Sequence, residues 1–75
     1  MNKYSIGTNA GVIWQLMNSE YSSWTYEELK HKTNLSDKEL AASIGWLARE
    51  NKIEFETHSQ EEKLFLTTTF YFWLK

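Results

Sequence analysis

Two four-residue signals, Thr25-Tyr26-Glu27-Glu28 and Ser36-Asp37-Lys38-Glu39, stand eleven residues apart and restrict the fold more than any other feature of this chain. Both fit S/T-x-x-E, in which the hydroxyl accepts from the N3 amide and the glutamate reaches back to the N-cap amide. Each is also stapled: Trp24 precedes the first box with Leu29 at N4, and Leu35 precedes the second with Leu40 at N4. The spacing predicts a short helix over about 26–32 and a second helix from about 37 to 50. Thr33-Asn34-Leu35 is left as the turn, with Asn34 as its left-handed residue because asparagine tolerates positive φ better than most.

Leu40, Ile44, Leu47 and Ala48 fall on one face of the second helix at helical spacing. Asn51 and Lys52 close it, and the apolar period then changes from 3.6 to 2. Ile53 and Phe55 alternate with Glu54 and Glu56, which reads as a half-buried strand. Residues 58–62 make a polar turn and 63–69 a returning strand. Upstream, Thr8 or Asn9 is the expected cap of a first helix reaching about Ser19, with Val12, Ile13, Leu16 and Met17 as its apolar stripe. Gly11 near its start is expected where another helix approaches closely, and Ser22-Ser23-Trp24 as a short extended segment.

The resulting order is helix, short strand, helix, turn, helix, strand, turn, strand. This is an α+β winged helix-turn-helix with three helices and a small antiparallel sheet, the hairpin being the wing. The 75 residues contain no proline, no linker and no repeat, so the whole of 1–75 reads as one domain. No cysteine is present, so neither a disulfide framework nor a thiolate metal site is available, and the twelve aromatic residues must supply the core. No stretch approaches the roughly 20 apolar residues of a membrane helix. The chain also begins without the apolar run of a signal peptide, so a cytoplasmic, non-membrane protein is expected.

The runs Gly7-Thr8-Asn9-Ala10-Gly11-Val12-Ile13-Trp14, Leu35-Ser36-Asp37-Lys38-Glu39-Leu40 and Ile44-Gly45-Trp46-Leu47-Ala48-Arg49-Glu50-Asn51-Lys52-Ile53 resemble a family of small bacterial winged helix-turn-helix domains of unknown function. With the hairpin, the resemblance covers nearly the whole chain. It implies the fold and hardly any mechanism, because function lives in the site rather than the fold.

In a helix-turn-helix, the second helix of the motif enters the major groove and its early exposed residues meet base edges. Here those are Asp37, Lys38, Glu39, Ala42, Ser43 and Trp46. Lys38 and Arg49 are outweighed on this helix by Asp37, Glu39 and Glu50, and on the wing Lys52 and Lys63 face Glu54, Glu56, Glu61 and Glu62. The chain as a whole carries a formal charge of −2, whereas phosphate contact calls for a basic footprint. One basic cluster, Lys30-His31-Lys32, lies beside Glu27 and Glu28 and reads as a solvated helix face more readily than as a phosphate clamp. The candidate DNA contacts are therefore Lys30, His31, Lys32, Lys38, Ser43 and Arg49, with nucleic acid electrostatically disfavoured as a partner.

Trp46 falls on the outward arc of its helix among small residues, a contact hot spot unless the first helix or the wing folds over it. Phe70, Tyr71, Phe72 and Trp73 form an apolar run with strand propensity on both faces, more than a strand packed on one side needs. These five residues are the candidate protein interface, and self-association through the C-terminal run would remove an exposed apolar edge. His31 and His58 sit on different elements with no acid, nucleophile or metal-ligand constellation around them, so no enzyme activity, metal or cofactor is expected. The leading expectation is a recognition module working through protein contacts as a homodimer. The alternative is a DNA-binding transcriptional regulator using helix 37–50 and the wing.

Overall fold

The computed structural model describes residues 1–19, 23–57 and 60–67. They form α1 (Lys3–Ser19), α2 (Tyr26–Thr33), α3 (Asp37–Arg49), β1 (Ile53–Glu56) and β2 (Lys63–Leu66). This is the expected winged helix-turn-helix order.

Both capping boxes close as their sequence requires. Thr25 Oγ1 accepts from the Glu28 amide at 3.0 Å, and Glu28 Oε1 accepts from the Thr25 amide at 2.7 Å. Ser36 Oγ accepts from the Glu39 amide at 3.2 Å, and Glu39 Oε1 from the Ser36 amide at 3.1 Å. Between the two helices Asn34 is left-handed, at φ 59° and ψ 24°, and its amide donates to the Lys30 carbonyl. A second left-handed asparagine, Asn51 at φ 59°, ends α3, and the Lys52 amide returns to the Leu47 carbonyl at 2.8 Å.

The first helix departs from expectation at its start. It begins at Lys3, five residues before Thr8, because Asn2 and Ser5 satisfy each other's amides: Asn2 Oδ1 accepts from Ser5 N at 2.9 Å and Ser5 Oγ from Asn2 N at 2.9 Å. Thr8 and Asn9 are helix interior. The buried stripe of α1 is Ala10, Ile13 and Met17, with Leu16 partly buried. Val12 is 50% exposed, because it lies one helical step, 100°, to the side of Ile13 and away from the core.

α1 packs most extensively on α3, whose buried face is Leu40, Ser43, Ile44 and Leu47. The hairpin pairs Ile53 with Leu66, Glu54 with Phe65, Phe55 with Leu64 and Glu56 with Lys63. On the other side of β2, Trp24 and Leu64 exchange both backbone hydrogen bonds, at 2.9 and 2.7 Å. β2 is thus flanked on both edges, and Leu64 and Leu66 are buried. β1 is the outer strand, so the expected alternation fails at Phe55, which is 39% exposed while Ile53 remains in the core. The second strand, expected to reach residue 69, pairs as far as Leu66, and residues 68 and 69 lie outside the described residues.

Removing one hydroxyl cap should cost about 0.5–2 kcal/mol, so Thr25→Ala and Ser36→Ala should each lower the urea midpoint by that cost divided by the slope of the transition, with the slope unchanged. Leu40→Ala, at a fully buried position, should cost about 2–5 kcal/mol and leave a substantial unfolded population at room temperature. The hydrogen bonds from the Thr25 and Ser36 amides hold the Glu28 and Glu39 carboxyls below their ordinary value. A depressed carboxyl contributes stability above its unfolded pKa and loses it as pH falls through the folded one. The urea midpoint should therefore be flat above about pH 5.5 and fall below about pH 4.5, and the double variant Glu28→Gln/Glu39→Gln should flatten that decline.

Candidate functional site

The end of α3 that a helix-turn-helix would present to DNA is occupied by its own carboxylates. Asp37 Oδ1 lies 3.0 Å from Lys30 Nζ and accepts from the Tyr26 hydroxyl at 3.2 Å, and the same hydroxyl is 3.2 Å from the Asp37 carbonyl. The Lys30 ammonium, by its hydrogen bond and its charge, holds the Asp37 carboxyl below the ordinary aspartate value, while Asp37 raises the Lys30 ammonium. Tyr26 is pushed up, first by desolvation and then by Asp37. Glu39 is committed to the Ser36 amide. At neutral pH two negative charges therefore flank the first turn of α3.

The basic candidates do not converge. Lys30 is drawn to Asp37, and His31 and Lys32 follow at 100° intervals around α2. His31 and Lys32 border a shallow depression of about 370 Å³ with Trp24, Glu27 and Glu28. Lys38 is exposed in the first turn of α3 and Arg49 is exposed in its last, so the two are eleven residues apart along one helix. On the wing, Lys63 Nζ is 3.9 Å from Glu61 Oε2.

Ser43 does not belong among the DNA contacts. It is 0% exposed, and its hydroxyl donates to the Ile6 carbonyl at 3.5 Å, where α3 meets α1. The sequence held the signal: Ser43 is three residues after Leu40 and four before Leu47, which is core spacing regardless of the polarity of serine.

Trp46 is neither covered nor isolated. It keeps 44% of its surface exposed and borders a groove of about 480 Å³ between α1 and α3, with Gly7, Gly11 and Trp14 on the α1 side. Close helix approach is not the reason for Gly11: a Cβ there would meet no atom of the described residues within 4 Å. The groove is a surface that sequence reasoning missed, because it joins residues 7–15 to residues 46–52 across a helix pair. Phe70, Tyr71, Phe72 and Trp73 lie outside the described residues.

The Glu28 carboxylate beside His31 is committed to the α2 cap. His58 lies outside the described residues. Among the described residues there is no cluster of three or more His, Cys, Asp or Glu side chains able to hold a metal ion, and no helix long and apolar enough to cross a membrane.

Comparison with curated proteins returns no match. Among solved structures, the chain is similar to the solution NMR structure of protein BT2368 from Bacteroides thetaiotaomicron, a structural-genomics target, at 36% identity and a TM-score of 0.80, covering 96% of this chain and 87% of that one. The winged helix-turn-helix domain family DUF2582 matches residues 1–67. A match over that span, on a chain whose capped helices and wing hairpin follow the same architecture, makes this protein a member of the DUF2582 family of winged helix-turn-helix domains, whose function is unknown.

Proposed function

We propose that this chain is a non-enzymatic recognition module of the cytoplasm that works through protein contacts and associates with a second copy of itself. The observation that carries this reading is Trp46, a large aromatic left 44% exposed beside a groove that it shares with Trp14. Tryptophan is enriched among residues that dominate binding energy, because it removes a large apolar area from water at small entropic cost. The same helix meets a polyanion poorly, since Asp37 and Glu39 stay ionised at its leading turn. Like charges there would oppose the phosphate contacts from which non-specific DNA affinity comes.

DNA binding is the competing reading, favoured by the fold and by the exposed Lys38 and Arg49 on α3. A dimer could place two such helices and two Lys30-His31-Lys32 clusters side by side. Fluorescence anisotropy of labelled random-sequence duplex from low to physiological salt, with sedimentation mass recorded in the same buffer, separates the two readings. The expected result is a dimer mass and no saturable DNA binding at low salt. Affinity that falls steeply with rising salt would bring the regulator reading forward.

A further inference from the structure

We propose that the groove between α1 and α3 takes an aromatic side chain of a partner protein, presented there between a basic and an acidic residue of that partner. The inference rests on the protein-contact reading above and names the chemistry of the contact. Trp14 and Trp46 flank the groove from α1 and α3, and Gly7 and Gly11, four residues apart on one side of α1, make its low wall. Its volume of about 480 Å³ is that of a cleft which receives aromatic groups. Glycine inside a helix is destabilising relative to alanine. At Gly7 and Gly11 no atom of the described residues lies within 4 Å of a Cβ position, so packing among them requires neither glycine. A ring laid over α1 between two tryptophans does require a low wall, and aromatic anchors pair with aromatic hot spots across protein interfaces.

The rim of the groove selects the occupant by charge. Glu50, the C-cap of α3, and Lys52, just past the left-handed Asn51, both border it and both are exposed. Among the described residues neither has an ion-pair partner. The segment that fits therefore brings a cation to Glu50 and a carboxylate to Lys52, with its ring between them. The C-terminal run of this chain, or of a second copy, does not meet that requirement, because residues 63–75 contain lysines and no acidic side chain. A free small molecule is a poorer fit than a protein, since ligand pockets bury roughly 70–90% of their ligand and this groove leaves Trp46 44% exposed at its edge. A partner's own surface supplies the missing cover. The ring carries most of the affinity, and the exposed rim charges set the direction in which the segment crosses.

The probes are two peptides with acetylated and amidated ends, Lys-Ser-Trp-Ser-Glu and Glu-Ser-Trp-Ser-Lys, titrated into the isotope-labelled full chain. The readout is the NMR shift of the Trp14 and Trp46 indole N–H groups and the Gly7 and Gly11 amides. At least one order of the peptide should give saturable shifts confined to the groove, and replacing its tryptophan with serine should weaken binding about tenfold or more. Glu50→Gln should weaken it about threefold, and the exchange Glu50→Lys/Lys52→Glu should reverse which peptide order binds more tightly. Gly11→Leu should keep its helical circular dichroism and melting temperature and weaken binding about tenfold. Free tryptophan shifting the groove as strongly as the peptides would overturn the protein partner in favour of a small ligand. An unshifted groove, with Gly11→Leu lowering the melting temperature, would overturn the proposal and assign the groove to the chain's own residues. An unshifted groove in a chain that sediments as a dimer, unaltered by Gly11→Leu, would overturn the groove seat alone and leave the protein-contact reading standing. A monomer that neither peptide shifts overturns both.

Discussion

The two-way backbone bond between Trp24 and Leu64 is the joint on which the architecture depends. Trp24 precedes the N-cap of α2, and Leu64 lies in the returning strand of the wing, so this one residue pair ties the helix-turn-helix to the hairpin. Both side chains are buried in the same core as Leu29, Leu40 and Ile13. An isolated two-stranded hairpin is marginal in water. Here it is held because β2 gains a second backbone partner at Trp24 and its leucines, Leu64 and Leu66, are buried in the core. Among the described residues β1 is the outer strand, and there Glu54 and Glu56 flank Phe55 and discourage further strand pairing.

A second joint, at the start of α3, links stability to recognition. Lys30, Tyr26 and Asp37 connect α2 to α3 across the turn, and Ser36 and Glu39 close the helix end. These bonds order the segment that a DNA-binding relative of the fold would lay in the major groove. They do so with carboxylates whose pKa values are lowered by the contacts they make, so the charge is kept at neutral pH. An exposed ion pair contributes little free energy by itself. Its larger effect is to withdraw Lys30, which also has Glu27 one turn away on α2, from any phosphate.

The elements defined by local chemistry were readable in the sequence. The caps at Thr25 and Ser36, the left-handed Asn34 and the hairpin after Lys52 each follow from a residue type with few ways to satisfy its own backbone. The misreadings have physical causes. Asn2 and Ser5 form a reciprocal cap without the glutamate that marks a capping box, so the start of α1 went unseen. Ser43 was assigned by polarity although its spacing placed it between Leu40 and Leu47, and serine is small enough to be buried where two helices cross. Phe55 alternates in sequence with Glu54 and Glu56, yet its burial does not follow and it is 39% exposed, because a sequence pattern gives the faces of a strand and not how far the core extends beneath it. The groove needed a tertiary structure to appear, since its two walls are some thirty residues apart in sequence.

The small residues of α1 join these observations. Ala10 and Ser43 lie buried at the α1–α3 contact, where limited volume lets the two helices pack. Gly7 and Gly11 are of the same residue class but sit a quarter-turn aside, toward the groove, where the described structure places nothing against them. Smallness at Ala10 and Ser43 is explained by the fold. At Gly7 and Gly11 the fold accounts only for the cost, because an alanine would strengthen the helix and meet no described atom. Together with a half-exposed tryptophan on the opposite wall, this makes the α1–α3 groove the part of the molecule that folding alone does not account for.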